Sequence, residues 1–259
     1  MNISIITVSY NSAATIEDTI KSVLGQTYPD IEYIFIDGGS TDGTLEIVCR
    51  YKDKIVKIVS EKDGGMYEAM NKGIKLATGD IVGILNSDDV YASNDVIETV
   101  AQRFSQADPK NVGSHSIDCV WGDLVCVDKN NPNKIVRNWK SSTYTKGSFQ
   151  KGWHPPHPTF FVRLSIYERY GPFRTDLDTS ADYELMLRFL EKDKISSSYI
   201  PQILVKMRDG GQSNRSYFNL IRANIDCYRA FKKNGLAIDP LFIIRKPLSK
   251  LAQFISCFL

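Results

Sequence analysis

Two neighbouring carboxylates, Asp88 and Asp89, follow an apolar run that ends at Leu85, with Asn86 and Ser87 in between. The run is short and rich in β-branched residues, which predicts a buried strand that reaches the surface where these polar side chains begin. Because two adjacent acids repel each other, they stay ionised most easily beside a hard divalent cation, which prefers oxygen ligands. Alternatively, the pair begins a turn and caps the next helix. The stretch alone leaves both interpretations open.

A second polar loop, 37–43, reads Asp-Gly-Gly-Ser-Thr-Asp-Gly and also follows a predicted strand. It lacks the Gly-x-Gly-x-x-Gly of dinucleotide sites and the Gly-Lys-Ser/Thr of phosphate-binding loops, which argues against nicotinamide enzymes and phosphate-loop ATPases. A carboxylate such as Asp37 can accept hydrogen bonds from a base imide or a ribose hydroxyl, and the glycines permit close approach of a ligand to the backbone. The alternative is a plain Asp/Gly turn.

Strand and helix patterns alternate through the first part of the chain and position these loops. Short apolar runs predict four strands, over 3–8, 33–36, 55–59 and 81–85. Helical spacing follows each strand, with Ser12 expected to cap the first helix and Gly79 to end the third. Successive strand–helix units predict a mostly parallel, Rossmann-like sheet with helices on both faces, which binds ligands at the carboxyl ends of its strands.

The pattern changes after the fourth strand. We predict a helix over 96–104 and a β-hairpin from the strands 117–127 and 134–139. The segment 141–158 has no periodicity, as is typical of functional loops. Further elements are expected over 160–162 (extended), 164–170 (helix), 181–190 (helix), 195–205 (strand), 208–213 (loop) and 217–234 (helix).

Composition excludes several classes of protein. The 259 residues are 42% hydrophobic and carry a net charge of +2, so we expect a folded α/β domain whose main partner is not nucleic acid. The five cysteines are scattered without a Cys-x-x-Cys pair, which favours a reduced, cytoplasmic protein. We expect neither a secretion signal nor a membrane-spanning helix, because the first strand begins at residue 3 and no apolar run is long enough.

The motifs together resemble the family 2 glycosyltransferases of the GT-A fold. Four of them occur in that family's order and spacing: Thr7-Val8-Ser9-Tyr10-Asn11, the loop 37–44, Asp63-Gly64-Gly65 with Ala69-x-Asn71-x-Gly73, and Leu85-Asn86-Ser87-Asp88-Asp89. Two later segments agree, 179–185 with Arg188, and Gly210-Gly211-x-Ser213. Within the family the chain looks most like bacterial enzymes that build O-antigen, capsule or exopolysaccharide units on a lipid carrier.

The resemblance implies a nucleotide-sugar donor, usually a UDP-sugar, and a role for each matching residue. The residues expected around the donor are Thr7, Tyr10, Asn11, Asp37, Asp63, Asn71, Gly73, Asn86 and Ser87. Asn86-Ser87-Asp88 would occupy the family's Asp-x-Asp position, with Asp88 and the supporting Asp89 holding Mn²⁺ or Mg²⁺. Asn86 departs from the family pattern and is a poor metal anchor, so weak or water-rich metal binding is expected.

Asp182 is the residue we expect to act as general base. Removing a proton from a sugar hydroxyl requires an ionised carboxylate within hydrogen-bond reach, and the first turn of a helix stabilises that charge and directs it. Direct attack by the activated hydroxyl would invert the anomeric carbon. The alternative for Asp182 is an ordinary residue at a helix start.

Four further residues are candidates for contact with the acceptor or the diphosphate: His157, Trp153, Arg188 and Arg208. His154 and His157 have the spacing of a metal pair, but the prolines between them prevent a regular helix, so we do not expect a metal there. Trp153 and Trp139 could stack on a sugar ring or pack in a core or lid.

The expected domain organisation is a GT-A domain over 1–215, with a donor half (1–105) and an acceptor half (106–215), and a helical extension over 216–259. The apolar tail contains Arg245, Lys246 and Lys250, interrupted by Pro247. It could lie on the inner leaflet of the cell membrane, near a polyprenyl-diphosphate-linked acceptor, or pack on the domain or in a homodimer.

Two other functions compete with a cytoplasmic, membrane-peripheral, inverting hexosyltransferase. A sugar-1-phosphate nucleotidyltransferase typically carries an early Gly-x-Gly-x-Arg signature, and residues 1–20 contain neither Gly nor Arg. An inactive, transferase-like scaffold domain is the second alternative. The presence of both Asp88 and Asp182 argues against it.

Overall fold

The structure, a computed structural model, describes residues 1–106, 116–177, 179–210, 217–239, 241–243 and 246. One nine-stranded sheet runs through it in the order β3-β2-β1-β4-β8-β6-β9-β5, with β7 paired to β6. The strands are β1 (Ile3–Ser9), β2 (Ile31–Asp37), β3 (Lys57–Ser60), β4 (Ile81–Asn86), β5 (Val90–Tyr91), β6 (Cys119–Val127), β7 (Ile135–Trp139), β8 (Phe161–Arg163) and β9 (Ser197–Arg208).

Seven α-helices accompany the sheet in the described residues. They are α1 (Ile16–Leu24), α2 (Thr44–Cys49), α3 (Met66–Leu76), α4 (Val96–Ser105), α5 (Leu164–Tyr170), α6 (Ala181–Leu187) and α7 (Tyr217–Lys233). A π-helical turn, Arg188–Lys192, continues α6.

The first four strands of this order are parallel, as the strand–helix alternation predicts. β1 pairs in parallel with both β2 and β4, so Ser9 lies beside Asp37, and Val8 beside Asn86. β8 then joins antiparallel to β4, and β6 antiparallel to β8, which makes β6 parallel to the first strands. The carboxyl ends of β1, β2 and β4 therefore meet at one edge of the sheet.

Alternation along β1 divides the core between the two faces of the sheet. Ile6 and Val8 belong to a cluster covered by α3, α5, α6 and α7, and Ile3 and Ile5 to a cluster covered by α1, α2 and α4. The helices on both faces, the added β6–β7 hairpin and α7 after the last strand confirm the predicted fold class.

Several boundaries differ from the prediction. Ser12 does not cap α1 with its side chain; its carbonyl accepts hydrogen bonds from the N–H groups of Thr15 and Ile16 instead. α3 ends at Leu76, before Gly79, because residue 77 is already extended. β9 extends to Arg208, which places that residue in a strand rather than in the predicted loop. Of the helices in the described part, none has both the length and the apolar composition that crossing a bilayer requires.

Part of the predicted tail packs on the domain. Phe242 is buried between Tyr183 of α6 and Phe231 of α7, with ring centroids 6.4 Å and 5.3 Å away. Lys246 is also buried, with its Nζ 4.0 Å from the centre of the Tyr183 ring and in contact with the Cys227 sulfur. Other residues of the predicted motifs lie outside the described residues, namely Gly211, Ser213, Arg245, Pro247 and Lys250.

Candidate functional site

The loop after β2 is held together by its own first residue. The Asp37 carboxylate is fully buried and accepts hydrogen bonds from the N–H groups of Gly39 (3.0 Å) and Ser40 (2.9 Å) and from the hydroxyls of Ser40 (2.5 Å) and Ser60 (2.7 Å). With four protein donors and no exposed surface, Asp37 shapes the loop. The contact of Asp37 with a base or ribose stays a prediction.

Asp63 lies directly against that loop. A Cβ atom added to Gly38 would stand 3.0 Å from Asp63 Oδ2, so the glycine leaves the space that this carboxylate occupies. Asp63 Oδ1 accepts from the N–H of Gly65 at 3.0 Å, and the side chain is partly exposed. The structure therefore brings Asp63 beside Asp37 with a surface that a ligand can reach.

Tyr10 and Asn11 form the exposed rim of the same edge. The Tyr10 side chain is 62% exposed although it follows a fully buried strand. Asn11 has a φ of +49°, and its Oδ1 accepts from the N–H of Thr41 at 2.9 Å while its own N–H donates to Ser40 Oγ at 2.8 Å. Asn11 thus joins the loops after β1 and β2, and Tyr10 offers an aromatic face to a planar ligand.

The loop after β4 contains the paired acids, which occupy different environments. Asp89 is fully buried, and Nδ2 of Asn86 donates to its Oδ2 at 3.0 Å. Burial, and then the neighbouring Asp88, raise the pKa of Asp89 well above its ordinary value. Asp88 is only partly buried; burial raises its pKa, and the positive charge of Arg208 opposes that rise.

Arg208 and Ser87 complete this corner of the site. The Arg208 guanidinium, on the last residue of β9, forms an ion pair with Asp18 of α1 and lies close enough to influence both Asp88 and Asp89. The Ser87 hydroxyl shares a 2.8 Å hydrogen bond with that of Ser12. The structure therefore brings together Arg208 and the two acids, which the sequence separates by more than a hundred residues.

The chemistry of these residues fits a hard divalent cation that substrate phosphates help to hold. Three buried oxygens at this edge have no hydrogen-bond partner among the described residues, namely Ser9 Oγ, Asn86 Oδ1 and Asp89 Oδ1. The described residues contain no group of three or more His, Cys, Asp or Glu side chains able to hold a metal. One partly exposed carboxylate, Asp88, is the contribution that a protein typically makes when a diphosphate supplies further oxygens. Because Asp89 is buried, it is suited to support Asp88 rather than to bind the ion directly.

The predicted base is joined to the same edge from the second half of the chain. Asp182, in the first turn of α6, accepts a hydrogen bond from the Tyr67 hydroxyl on Oδ1 at 3.1 Å. Tyr67 lies in the first turn of α3, just after the loop that contains Asp63. Burial lowers the pKa of the neighbouring His157, and the charge of Asp182 opposes that shift. His157 also meets the edge of Phe173, at 5.5 Å between ring centroids.

Trp153 lies in an aromatic cluster and not alone on the surface. Its ring centroid is 6.0 Å from that of Trp121, 5.8 Å from Phe149 and 6.1 Å from Tyr144. The side chain is partly exposed, and its Nε1 has no hydrogen-bond partner among the described residues. The loop that carries it is tied to the end of α6, where Glu191 Oε1 accepts from the N–H of Gly147 at 2.7 Å.

Four predicted site residues have structural roles instead. Thr7 is fully buried and its Oγ1 accepts from the Tyr33 hydroxyl at 3.1 Å, because its side chain points into the core rather than along the strand to the edge. Gly73 lets α3 pack on β1: a Cβ there would stand 2.4 Å from Ile6 Cγ2. Neither prediction of donor contact is supported by these positions.

The other two, Asn71 and Arg188, contact the backbone of the segment before α6. Asn71 donates to the carbonyl of Phe173 and accepts from its N–H, each at 2.9 Å, which uses one N–H and one lone pair of its side-chain amide. Arg188 is buried against Glu184 at 3.1 Å and donates to the carbonyls of Gly171 (2.9 Å) and Pro172 (2.7 Å). Arg188 therefore lacks a free donor face for an acceptor or a diphosphate.

Sequence reasoning missed several residues of this edge. Tyr67 reads as one more apolar residue on the buried face of a helix, and nothing in its spacing signals a contact with Asp182. Asp42 and Asp18 were also overlooked, although Asp42 accepts from the N–H of Ala13 at 3.0 Å and closes the loop on β1. Their positions in the sequence could have identified Asp42 and Tyr67 as candidates, because both follow predicted strands on the side of the sheet where ligands bind.

Comparison with known proteins identifies the family. Residues 4–171 match the family described as Glycosyl transferase family 2. An uncharacterised glycosyltransferase of Mycobacterium tuberculosis is 32% identical over 192 residues, which cover 72% of this chain and 68% of that protein.

Two solved structures share the fold. S. aureus TarS 1–349 in complex with UDP has a TM-score of 0.65 and 18% identity, over 99% of this chain and 72% of that chain. The mannosyltransferase PcManGT from Pyrobaculum calidifontis, in complex with GDP-Man and Mn²⁺, has a TM-score of 0.65 and 18% identity, over 99% and 73% of the two chains. The chain belongs to glycosyl transferase family 2 and has the GT-A fold.

Proposed function

We propose that this protein is an inverting glycosyltransferase that moves a hexose or N-acetylhexosamine from a UDP-sugar to a sugar linked to a lipid diphosphate, in surface polysaccharide synthesis of the O-antigen, capsule or exopolysaccharide type. The proposal rests mainly on the 3.1 Å hydrogen bond between the Tyr67 hydroxyl and Asp182 Oδ1. It holds an acid from the second half of the chain at the edge where β1, β2 and β4 end. A donor site and a proton acceptor on one edge are what glycosyl transfer requires.

The donor would bind over the loops after the first four strands. Tyr10 offers a stacking face, Asn11 lies on the same rim, and Asp63 provides a partly exposed acceptor for the base or ribose. The UDP in the TarS complex and the GDP-Man in the PcManGT complex support a nucleotide-sugar donor for this chain. We retain UDP as the expected nucleotide from the resemblance of the motifs.

Asp88 and Arg208 are the residues that we propose to stabilise the leaving diphosphate. A bound Mn²⁺ or Mg²⁺ held by Asp88 would neutralise charge on the departing diphosphate. Arg208 is 13% exposed in its side chain and already has its guanidinium beside Asp88, so it can donate to the same phosphate oxygens. Asn86 and Ser87 are placed to donate to the sugar or the diphosphate from the same loop.

Asp182 is proposed to accept the proton of the acceptor hydroxyl. The freed oxygen attacks the anomeric carbon from the face opposite the diphosphate, the bond to the diphosphate breaks, and the configuration inverts. His157 lies beside Asp182 and is expected near the reacting groups, and Trp153 offers a partly exposed ring to an acceptor sugar.

The chain ends in a segment that we propose to associate with the inner face of the cell membrane, where a polyprenyl-diphosphate acceptor would be found. Leu241 and Ile243 are about half exposed on either side of the buried Phe242. Their exposure supports an apolar contact with lipid or with a second copy of the chain in a homodimer. The proposed division remains 1–215 as catalytic domain and 216–259 as extension.

One experiment tests the function. The protein is incubated with Mn²⁺, radiolabelled UDP- and GDP-sugars and a synthetic lipid-diphosphate sugar, with and without EDTA, and the product is identified. We expect a glycosylated lipid of inverted configuration, and for Asp182→Asn a loss of at least about a hundredfold in transfer rate. Asp53→Asn, an exposed acid remote from this edge, is the matched control and should retain the wild-type rate. Absence of both transfer and donor hydrolysis across the panel would instead favour a scaffold domain.

A further inference from the structure

We propose that Tyr67 is the positioning residue of the general base: its hydroxyl holds Oδ1 of Asp182 and leaves Oδ2 to receive the proton of the acceptor hydroxyl. The inference rests on the proposed function of Asp182. Tyr67 Oη lies 3.1 Å from Asp182 Oδ1, and Asp182 is partly exposed. The two oxygens of the carboxylate are therefore not equivalent, and Oδ2 is the candidate proton acceptor.

The Tyr67 ring is held rigidly, as a positioning role requires. Its side chain is 7% exposed and stacks on Phe173, with centroids 5.7 Å apart and planes at 25°. The backbone of Phe173 is held in turn by the two 2.9 Å hydrogen bonds to Asn71, one turn further along α3. Tyr67 and the residue it stacks on are thus fixed to the same helix, which leaves the hydroxyl little freedom to move from Asp182.

The surroundings keep the Tyr67 hydroxyl protonated, so that it donates. Burial, and then the charge of Asp182, raise the pKa of Tyr67 well above its ordinary value. The backbone N–H groups of Ala181 and Asp182 oppose that rise, so they face the hydroxyl oxygen at the start of α6. Ser180, which precedes the helix, does not cap it; its hydroxyl donates to the carbonyl of Ala223 at 3.2 Å.

His157 does not supply a competing charge to Asp182 near neutral pH. Burial lowers the pKa of His157, so its neutral form is favoured, and the edge of its ring meets Phe173, on which Tyr67 stacks. Tyr67 is therefore the neutral donor that directs the Asp182 carboxylate.

The test is Tyr67→Phe, which keeps the ring and its stacking and removes only the hydroxyl. We expect kcat to fall about tenfold or more, because without the Tyr67 hydroxyl the Asp182 carboxylate is less well oriented toward the acceptor hydroxyl. The KM values for donor and acceptor should stay unchanged, because substrate binding does not involve Tyr67. A residue that only supports the fold would not lower kcat of the folded protein at unchanged KM.

Tyr33→Phe is the matched control. Tyr33 is buried, and its hydroxyl also makes a 3.1 Å hydrogen bond, to Thr7 inside the core. Tyr33→Phe should lower thermal stability to a similar extent, while kcat and KM stay as in the wild type. In an Asp182→Asn background, Tyr67→Phe should have no further effect on the residual rate, because both changes remove the same function.

A wild-type kcat in Tyr67→Phe would overturn the positioning role while leaving Asp182 as the base. An equal loss of rate from Tyr67→Phe in the Asp182→Asn background would overturn it as well. A wild-type protein without any transfer activity would overturn the proposed function itself, so the two failures are distinguishable.

Discussion

At the scale of single residues, Asp182 and Glu184 show how two acids of one short helix acquire different tasks. Asp182 is partly exposed and contacts Tyr67, whereas Glu184 is fully buried and faces Arg188 at 3.1 Å, Arg174 at 3.3 Å and Asn234 at 2.9 Å. A buried carboxylate with three cationic or amide donors is satisfied within the protein and is costly to disturb. The partly exposed one is available for chemistry.

His157 is expected to make the stability of the protein depend on pH. Burial lowers its folded-state pKa below the ordinary 6.5, so the unfolded chain binds the proton first as the pH falls. This contribution to stability is thus fully present above pH 6.5 and is lost below it, by at most about 1.4 kcal/mol per pH unit. His157→Gln should flatten the dependence of the free energy of unfolding between pH 7.5 and 5.5, measured by urea denaturation.

The raised pKa of Asp89 acts in the opposite sense, because a buried acid that is neutral in the folded protein contributes stability that is lost as the pH rises. This contribution is common to the wild type and His157→Gln, so it does not affect the difference between their slopes. An unchanged slope in His157→Gln would contradict the prediction.

At the scale of elements, α3 connects the two chemical parts of the site, and Gly73 sets its distance from β1. Gly73→Ala would place a Cβ 2.4 Å from Cγ2 of Ile6, a fully buried β-branched residue with little freedom to move. We expect a net loss of about 1–2 kcal/mol in unfolding free energy, because overpacking exceeds the gain of about 1 kcal/mol in helix propensity. Denaturant unfolding measures it.

A double-mutant cycle with Ile6→Ala checks the cause of that loss. Removing the Ile6 methyl groups makes room for the new Cβ, so Gly73→Ala should cost little or even stabilise in the Ile6→Ala background. Additive costs would indicate a different cause. The KM for the donor in the folded Gly73→Ala protein should remain that of the wild type, whereas the original prediction of a donor contact at Gly73 requires it to rise.

These elements also show how far prediction from sequence reaches. The ends of strands can be predicted from sequence, because runs of β-branched residues stop at polar residues, and this located the loops of Asp37, Asp63 and Asp88 correctly. The hydrogen-bond partners of a loop side chain cannot be predicted in this way, because they depend on strand register and on the face of the sheet that the side chain occupies. Thr7 is the clearest case: it lies in a donor motif, yet alternation along β1 directs it to Tyr33 in the core. The hydroxyl of Tyr67 reaches Asp182 across 115 positions, which no spacing rule encodes.

At the scale of the whole molecule, the predicted halves 1–105 and 106–215 share one β-sheet, and each of the two hydrophobic clusters contains residues of both halves. β4 pairs with β8 across the boundary, with Ile81 beside Arg163, and the N–H of Leu164 donates to the carbonyl of Asp80 at 3.0 Å. One core cluster contains Ile6 and Tyr67 together with residues of α6 and α7. Neither half buries its apolar surface without the other.

We therefore expect the protein to unfold in a single cooperative transition. Tryptophan fluorescence reports on the second half, because all three tryptophans lie there: Trp121, Trp139 and Trp153. Far-UV circular dichroism also reports on the first half, because four of the seven described helices precede residue 106. The urea midpoints from the two signals should coincide, because strands and core residues of both halves lose their partners together. Tyr67→Phe, which weakens one contact between the halves, should lower both midpoints equally. A fluorescence transition that separates from the circular dichroism transition would show that the two halves unfold independently.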